Sequence, residues 1–114
     1  MPLNAFVSSL STKPESVMFA DTMTVIDQCY EFSATAFVNA AVKNGAGENN
    51  GSCKIFAFGL LNKLSEQQTL HCFGDFYRID VLGNPNGSDH QNIRNFITHG
   101  WGGIEFDGAA LLPK

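Results

Sequence analysis

Cys53 follows Gly51-Ser52 directly and opens a strongly apolar helical pattern. A thiol in the first turn of a helix lies at the positive end of the backbone dipole, which stabilises the thiolate. A cysteine-dependent hydrolase or acyl transferase needs such a thiolate, an imidazole base and a group that orients the base. In that reading His90 or His71 supplies the base, and Asp89 or Asp75 the orienting carboxylate. The same spacing carries a plainer reading. Cys53 is in phase with Phe56, Ala57 and Leu60, which is the place of a small core hydrophobe, and the phase favours this second reading. An exposed thiol of lowered pKa beside an imidazole would separate the two.

Two polar stretches are candidates for binding. The turn-rich run from Asn44 to Gly51 brings Glu48, Asn49, Asn50 and Ser52 to a helix start. Backbone N–H groups and Ser52 there could hold an anion; the alternative is an ordinary loop with Ser52 as the helix cap. It is not a phosphate-binding P-loop, because Gly51 is followed by Ser52 and Lys54 stands at the wrong spacing. The second stretch is Asp89 to Asn95. His90 and Arg94 stand four apart, and so do Gln91 and Asn95, so each pair shares a helical line. That polar face either meets a partner or is a solvated surface with Ser88 or Asp89 as cap. Asp75, Arg78 and Asp80 around Tyr77 read as a solubilising ion-pair cluster.

The three His and three Cys show neither Cys-x-x-Cys nor His-Glu-x-x-His, so no metal site is expected. No motif calls for a cofactor. The expected partner is a protein or a small molecule.

These residues need a scaffold, and the periodicity supplies one. Leu3, Phe6, Val7 and Leu10 make one helical stripe. Thr12-x-x-Glu15 with Pro14 marks a helix start or tight turn. Asp21 or Thr22 caps a second helix with Met23, Ile26 and Tyr30 on one side. Residues 32 to 43 lose helical phase and are rich in β-formers, which predicts a short hairpin or two short strands. Cys53, Phe56, Ala57, Leu60, Leu61 and Leu64 then form the strongest helix, with Ile55 and Phe58 making it apolar on more than one side and therefore central. Ser65-Glu66-Gln67-Gln68 is a capping box that starts the next helix, which buries Leu70, Phe73, Tyr77 and Val81. Gly83 and Pro85 end it. A last helix turns Ile93, Phe96 and Ile97 inward, and Ile104 to Phe106 is a possible strand. Trp101, set among glycines, reads as the plug of the core's last gap. The expected architecture is α+β: one helix-rich domain over residues 1–114, with about five helices, a hairpin around 32–43 and a short C-terminal strand.

Bulk properties narrow the function classes. A chain of 114 residues fits one domain with a real core, and ten Phe residues supply much of its volume. The net charge of −4 and seven Lys plus Arg make no basic patch, which argues against a nucleic-acid partner. Three Cys without a pairing pattern suit a reducing compartment. No apolar run approaches the length of a membrane span, and no Sec-type leader pattern is present.

Several long words resemble one family. Ala46 through Phe58 (Ala-Gly-Glu-Asn-Asn-Gly-Ser-Cys-Lys-Ile-Phe-Ala-Phe), Leu64 through Leu70, Cys72 through Asp75, Asp89 through Phe96 and Gly100-Trp101 are similar, in order and spacing, to the HopJ type III effector family. The likeness runs from roughly Pro14 to the C-terminus. It implies an effector-class or related binding and regulatory protein, cytoplasmic or delivered through type III secretion into a host cell. It carries no catalytic residue onto this chain. One departure is local: family members often read Asn-Gly in the hairpin, where this chain has Asn39-Ala40, which argues against a type I′ turn there.

Overall fold

The apolar run after residue 50 forms α3 (Asn50–Leu61), with Cys53, Ile55, Phe56, Ala57, Phe58 and Gly59 all buried. A helix buried on several sides must be surrounded, and the rest of the chain is arranged to do so. The computed structural model describes residues 2–114. Before α3 come α1 (Leu3–Thr12), a 3-10 turn at Pro14–Ser16 and α2 (Phe19–Cys29); after it come α4 (Glu66–His71), a π-helix at Phe76–Val81 and α5 (Gln91–His99). Among the described residues, five short strands complete an α+β fold: β1 (Tyr30–Phe32), β2 (Phe37–Asn39), β3 (Val42–Asn44), β4 (Ile104–Phe106) and β5 (Leu111–Pro113).

The strands form two small antiparallel sheets. One pairs β1 with β5, and the other has the order β3-β2-β4. The hairpin expected around 32–43 is present and lies in the second sheet. Its two arms are 37–39 and 42–44, while Phe32 pairs with Leu111 in the other sheet. The C-terminal strand at Ile104–Phe106 is present and pairs with β2, stacking Phe106 on Phe37 at 5.2 Å.

Phenylalanine dominates the interior, as its count foreshadows. Phe56 lies edge-on or tilted against Phe37, Phe73, Phe96 and Trp101, and Phe58 is edge-on to Phe6 and Tyr30. Trp101 fills the end of this cluster, with its indole N–H donating to the Leu64 carbonyl at 3.1 Å. Three inward assignments fail. Leu60 and Leu61 are 49% exposed and Ile97 is 46% exposed.

The long helix expected from the Ser65 capping box through Val81 breaks at Gly74, whose φ is +62°; a Cβ there would stand 2.5 Å from the Phe19 backbone nitrogen. The close approach of the α2 start and the left-handed backbone both require glycine. Beyond the break the chain resumes as the π-helix, a form found mostly as single turns and often at functional sites. Arg78, from that turn, bonds the Pro14 and Val17 carbonyls and stands 3.2 Å from His71 Nδ1. Burial, helped by the Arg78 charge, pushes the His71 pKa down.

The β2–β3 connection is Ala40-Ala41, with Ala40 at φ +55° and no positive φ at Ala41. A type I′ turn needs positive φ at both central residues, so this turn is of another kind. An alanine in the left-handed region costs about 1 kcal/mol that glycine avoids. Ala40→Gly is expected to stabilise the protein by about that amount in urea unfolding. An unchanged or lower urea midpoint would show that the turn is not strained.

Candidate functional site

Two helix starts face each other across a cleft of about 360 Å³. Gly51 and Ser52, in the first turn of α3, line one side. Gln91 and Asn92, in the first turn of α5, line another. The apolar wall is built by Phe19, Val42, Phe73, Phe76 and Ile93, and Asn49 and His90 complete the rim. The first N–H groups of any helix have no partner inside it. Both N-cap residues here, Asn49 and His90, have left-handed backbones (φ 52° and 51°) and make no side-chain cap bond. The cleft thus combines an aromatic side with the electropositive ends of two helices.

These N-cap positions correct the sequence assignment. Ser52 was expected to cap α3 and Ser88 or Asp89 to cap α5; Asn49 and His90 hold those places. Side-chain bonds to residues earlier in the chain fix both. Asn49 Nδ2 donates to Asn44 Oδ1 at 2.7 Å, and His90 Nε2 lies 3.1 Å from Asp80 Oδ2 and 3.7 Å from Asp89 Oδ2. The π-helix is what brings Asp80 there. The same turn lays the Phe76 ring 5.3 Å from the His90 imidazole.

Under the rim lies a network of buried asparagines. Asn39 and Asn44 each donate to Asn92 Oδ1, at 3.1 and 3.2 Å, and Asn92 Nδ2 donates to Asn44 Oδ1 at 3.0 Å. Asn39 Nδ2 also reaches the Asn92 carbonyl, at 2.8 Å. The β2–β3 hairpin, the loop before α3 and the start of α5 are thereby joined directly beneath the cleft.

The sequence candidates fall into three groups. Asn49, Ser52, His90 and Gln91 come together in the cleft. Glu48, Asn50, Arg94 and Asn95 are not among its lining residues. Glu48 Oε1 accepts the Gly45 N–H at 2.8 Å, closing its own turn, and Asn95 Nδ2 donates to the Asn39 carbonyl at 3.2 Å. Arg94 is committed to the loop before α5: it donates to the Asn84 carbonyl at 2.9 Å and to Asp89 Oδ1 at 2.5 Å. The bonded guanidinium holds the Asp89 carboxyl below its usual range.

Cys53 stands apart from the cleft. It is 1% exposed, and its Sγ lies 3.5 Å from the Thr35 carbonyl. Burial pushes its pKa up, the reverse of what an activated nucleophile requires. His71, the other base considered, is bonded into the Arg78–Gln67 cluster, with Gln67 Nε2 3.2 Å from its Nε2. The exposed, acidified thiol that the cysteine-enzyme reading needs is absent.

Sequence reasoning missed Asp80 as a partner of His90, the apolar wall and the asparagine network. Asn39 offered a signal, since a polar amide inside a run of β-formers demands buried partners. Among the described residues, no group of three or more His, Cys, Asp or Glu is placed to hold a metal ion. No helix among them is long and apolar enough to cross a membrane.

A family model described as HopJ type III effector protein matches residues 3–111. The crystal structure of the unknown function protein VPA0580 is similar with a TM-score of 0.98 and 54% sequence identity, covering 100% of this chain and 95% of that one. No curated protein matches the chain.

Proposed function

We propose that this chain, which belongs to the HopJ type III effector protein family, is a binding and regulatory protein whose ligand sits in the cleft between α3 and α5. The observation that carries the reading is the cleft itself, at about 360 Å³. Small-molecule sites run from about 300 to 1,000 Å³ and pair apolar walls with a few convergent polar groups. Phe19, Phe73 and Phe76 suit a flat apolar body, while Ser52, Gln91 and the two helix starts suit a head rich in hydrogen-bond acceptors. A small amphipathic molecule fits that division better than a nucleic acid, which binds through basic side chains, and the chain has seven Lys plus Arg and a net charge of −4. The family's description supports action in a host cell reached through type III secretion; the cytoplasm of the producing cell suits the acidic, cysteine-poor composition equally.

The test is amide chemical-shift mapping with benzoate, phenyl phosphate and benzyl alcohol as probes. Shifts concentrated at Gly51, Ser52, Gln91 and Asn92, and larger for the two anions, are the expected result. Shifts scattered over the surface, or centred elsewhere, would remove the cleft as the recognition site.

A further inference from the structure

The residue next to the buried cysteine is the one that reaches the cleft. Ser52 lines it from the first turn of α3, and His90 lines it from the start of α5. Asp80 Oδ2 stands 3.1 Å from His90 Nε2. A proton shared on that side leaves His90 Nδ1 as the basic nitrogen of the ring. The Phe76 ring packs against the imidazole with centroids 5.3 Å apart. A hydroxyl and an imidazole on one cleft, with a carboxylate behind the imidazole, are the residue types of a serine acyl-transfer site.

We propose that Ser52, His90 and Asp80 act as nucleophile, base and orienting carboxylate in acyl transfer from an ester bound in the cleft. The inference rests on the cleft as the ligand site and adds a reaction to it. Ser52 Oγ forms a bond to the ester carbonyl carbon as its proton passes to His90 Nδ1. The tetrahedral oxyanion points at the unpaired amides of the α3 start. Its collapse breaks the bond to the leaving oxygen, which takes the proton from His90. Water then attacks the acyl carbon, gives its proton to Nδ1, and the acid departs as Ser52 Oγ is reprotonated. No oxidant, metal or further reactant is required. Ser52 and His90 are not hydrogen-bonded to each other in the free protein, and such contacts commonly tighten only when substrate lies between them. Asp80 is a positioning residue, since it acts through His90.

Incubation of the whole protein with para-nitrophenyl acetate tests this directly. The expected result is a burst of nitrophenolate and one acetyl group on the peptide carrying Ser52. Ser52→Ala removes the burst, and Ser52→Cys restores acylation at the same position. His90→Gln slows acylation by about 10²–10⁴-fold. Asp80→Asn slows it as well, while Asp80→Glu retains it, a rescue that a merely structural role would not produce. No burst, or acetyl groups on lysines or on His90 in place of Ser52, would overturn the proposal. The binding role would still stand if the aromatic probes shift the cleft amides while acylation is absent; loss of those shifts would remove both.

Discussion

Phe56→Ala is expected to cost about 3–5 kcal/mol, the range for deleting a buried aromatic side chain. Phe56 is fully buried, and its ring centroid lies within 6.4 Å of those of Phe37, Phe73, Phe96 and Trp101. Those four come from β2, the turn after α4, α5 and the 3-10 turn at Gly100–Gly103 that follows α5. The cavity would open where elements distant in sequence meet, so no single neighbour can close it. Domains of this size are commonly stable by only about 5–15 kcal/mol. Urea unfolding should therefore show a midpoint lowered by much of the available range, with the slope unchanged. Ile79→Ala is the matching control, because Ile79 is 61% exposed; it should stay within about 0.5 kcal/mol. A loss below about 1.5 kcal/mol for Phe56→Ala would mean that the surrounding rings repack and that the aromatic cluster is not the centre of the fold.

What the sequence disclosed follows the range of the interactions involved. The capping box at Ser65 was legible because every atom in it lies within four residues: Gln68 N–H donates to Ser65 Oγ at 3.1 Å, and Ser65 N–H donates to Gln68 Oε1 at 2.9 Å. The other two helix starts were misassigned because their N-caps answer to partners outside the capping-box spacing, Asn44 five residues before Asn49 and Asp80 ten residues before His90. Strand β1 hid its partner for the same reason. Glu31 pairs with Leu112, and nothing near either residue announces the other. Helix α3 was readable as central from its apolar density. Its phase did not reveal that Leu60 and Leu61 would stay half exposed, because that depends on what covers the helix and not on the helix itself. The candidate site was legible in its polar members, Asn49, Ser52, His90 and Gln91. Its aromatic wall looked like ordinary core residues, and Asp80 looked like surface charge.

Asn92→Ala should be the most damaging change to the candidate site outside Ser52, His90 and Asp80. Asn92 is 7% exposed and exchanges three side-chain hydrogen bonds with Asn39 and Asn44. Removing the amide deletes all three. Asn39 Nδ2 keeps the Asn92 backbone carbonyl and Asn44 Oδ1 keeps Asn49, but Asn44 Nδ2 is left buried without its acceptor. An orphaned buried donor costs about 1–3 kcal/mol, and each lost bond about 1 kcal/mol more. With the orphaned donor counted once and the two other lost bonds added to it, the expected total is about 3–5 kcal/mol in urea unfolding. Because the costs share a partner, Asn44→Ala combined with Asn92→Ala should lose clearly less than the sum of the two singles, by about 1 kcal/mol or more. Strict additivity would show that the amides stabilise the fold independently and do not act as one network. The network also ties the β2–β3 hairpin to the start of α5, so Asn92→Ala should weaken the probe-induced shifts at Gln91 even where the protein remains folded. Unchanged shifts at Gln91 would separate the cleft from the asparagines beneath it and leave the α3 side to hold the ligand.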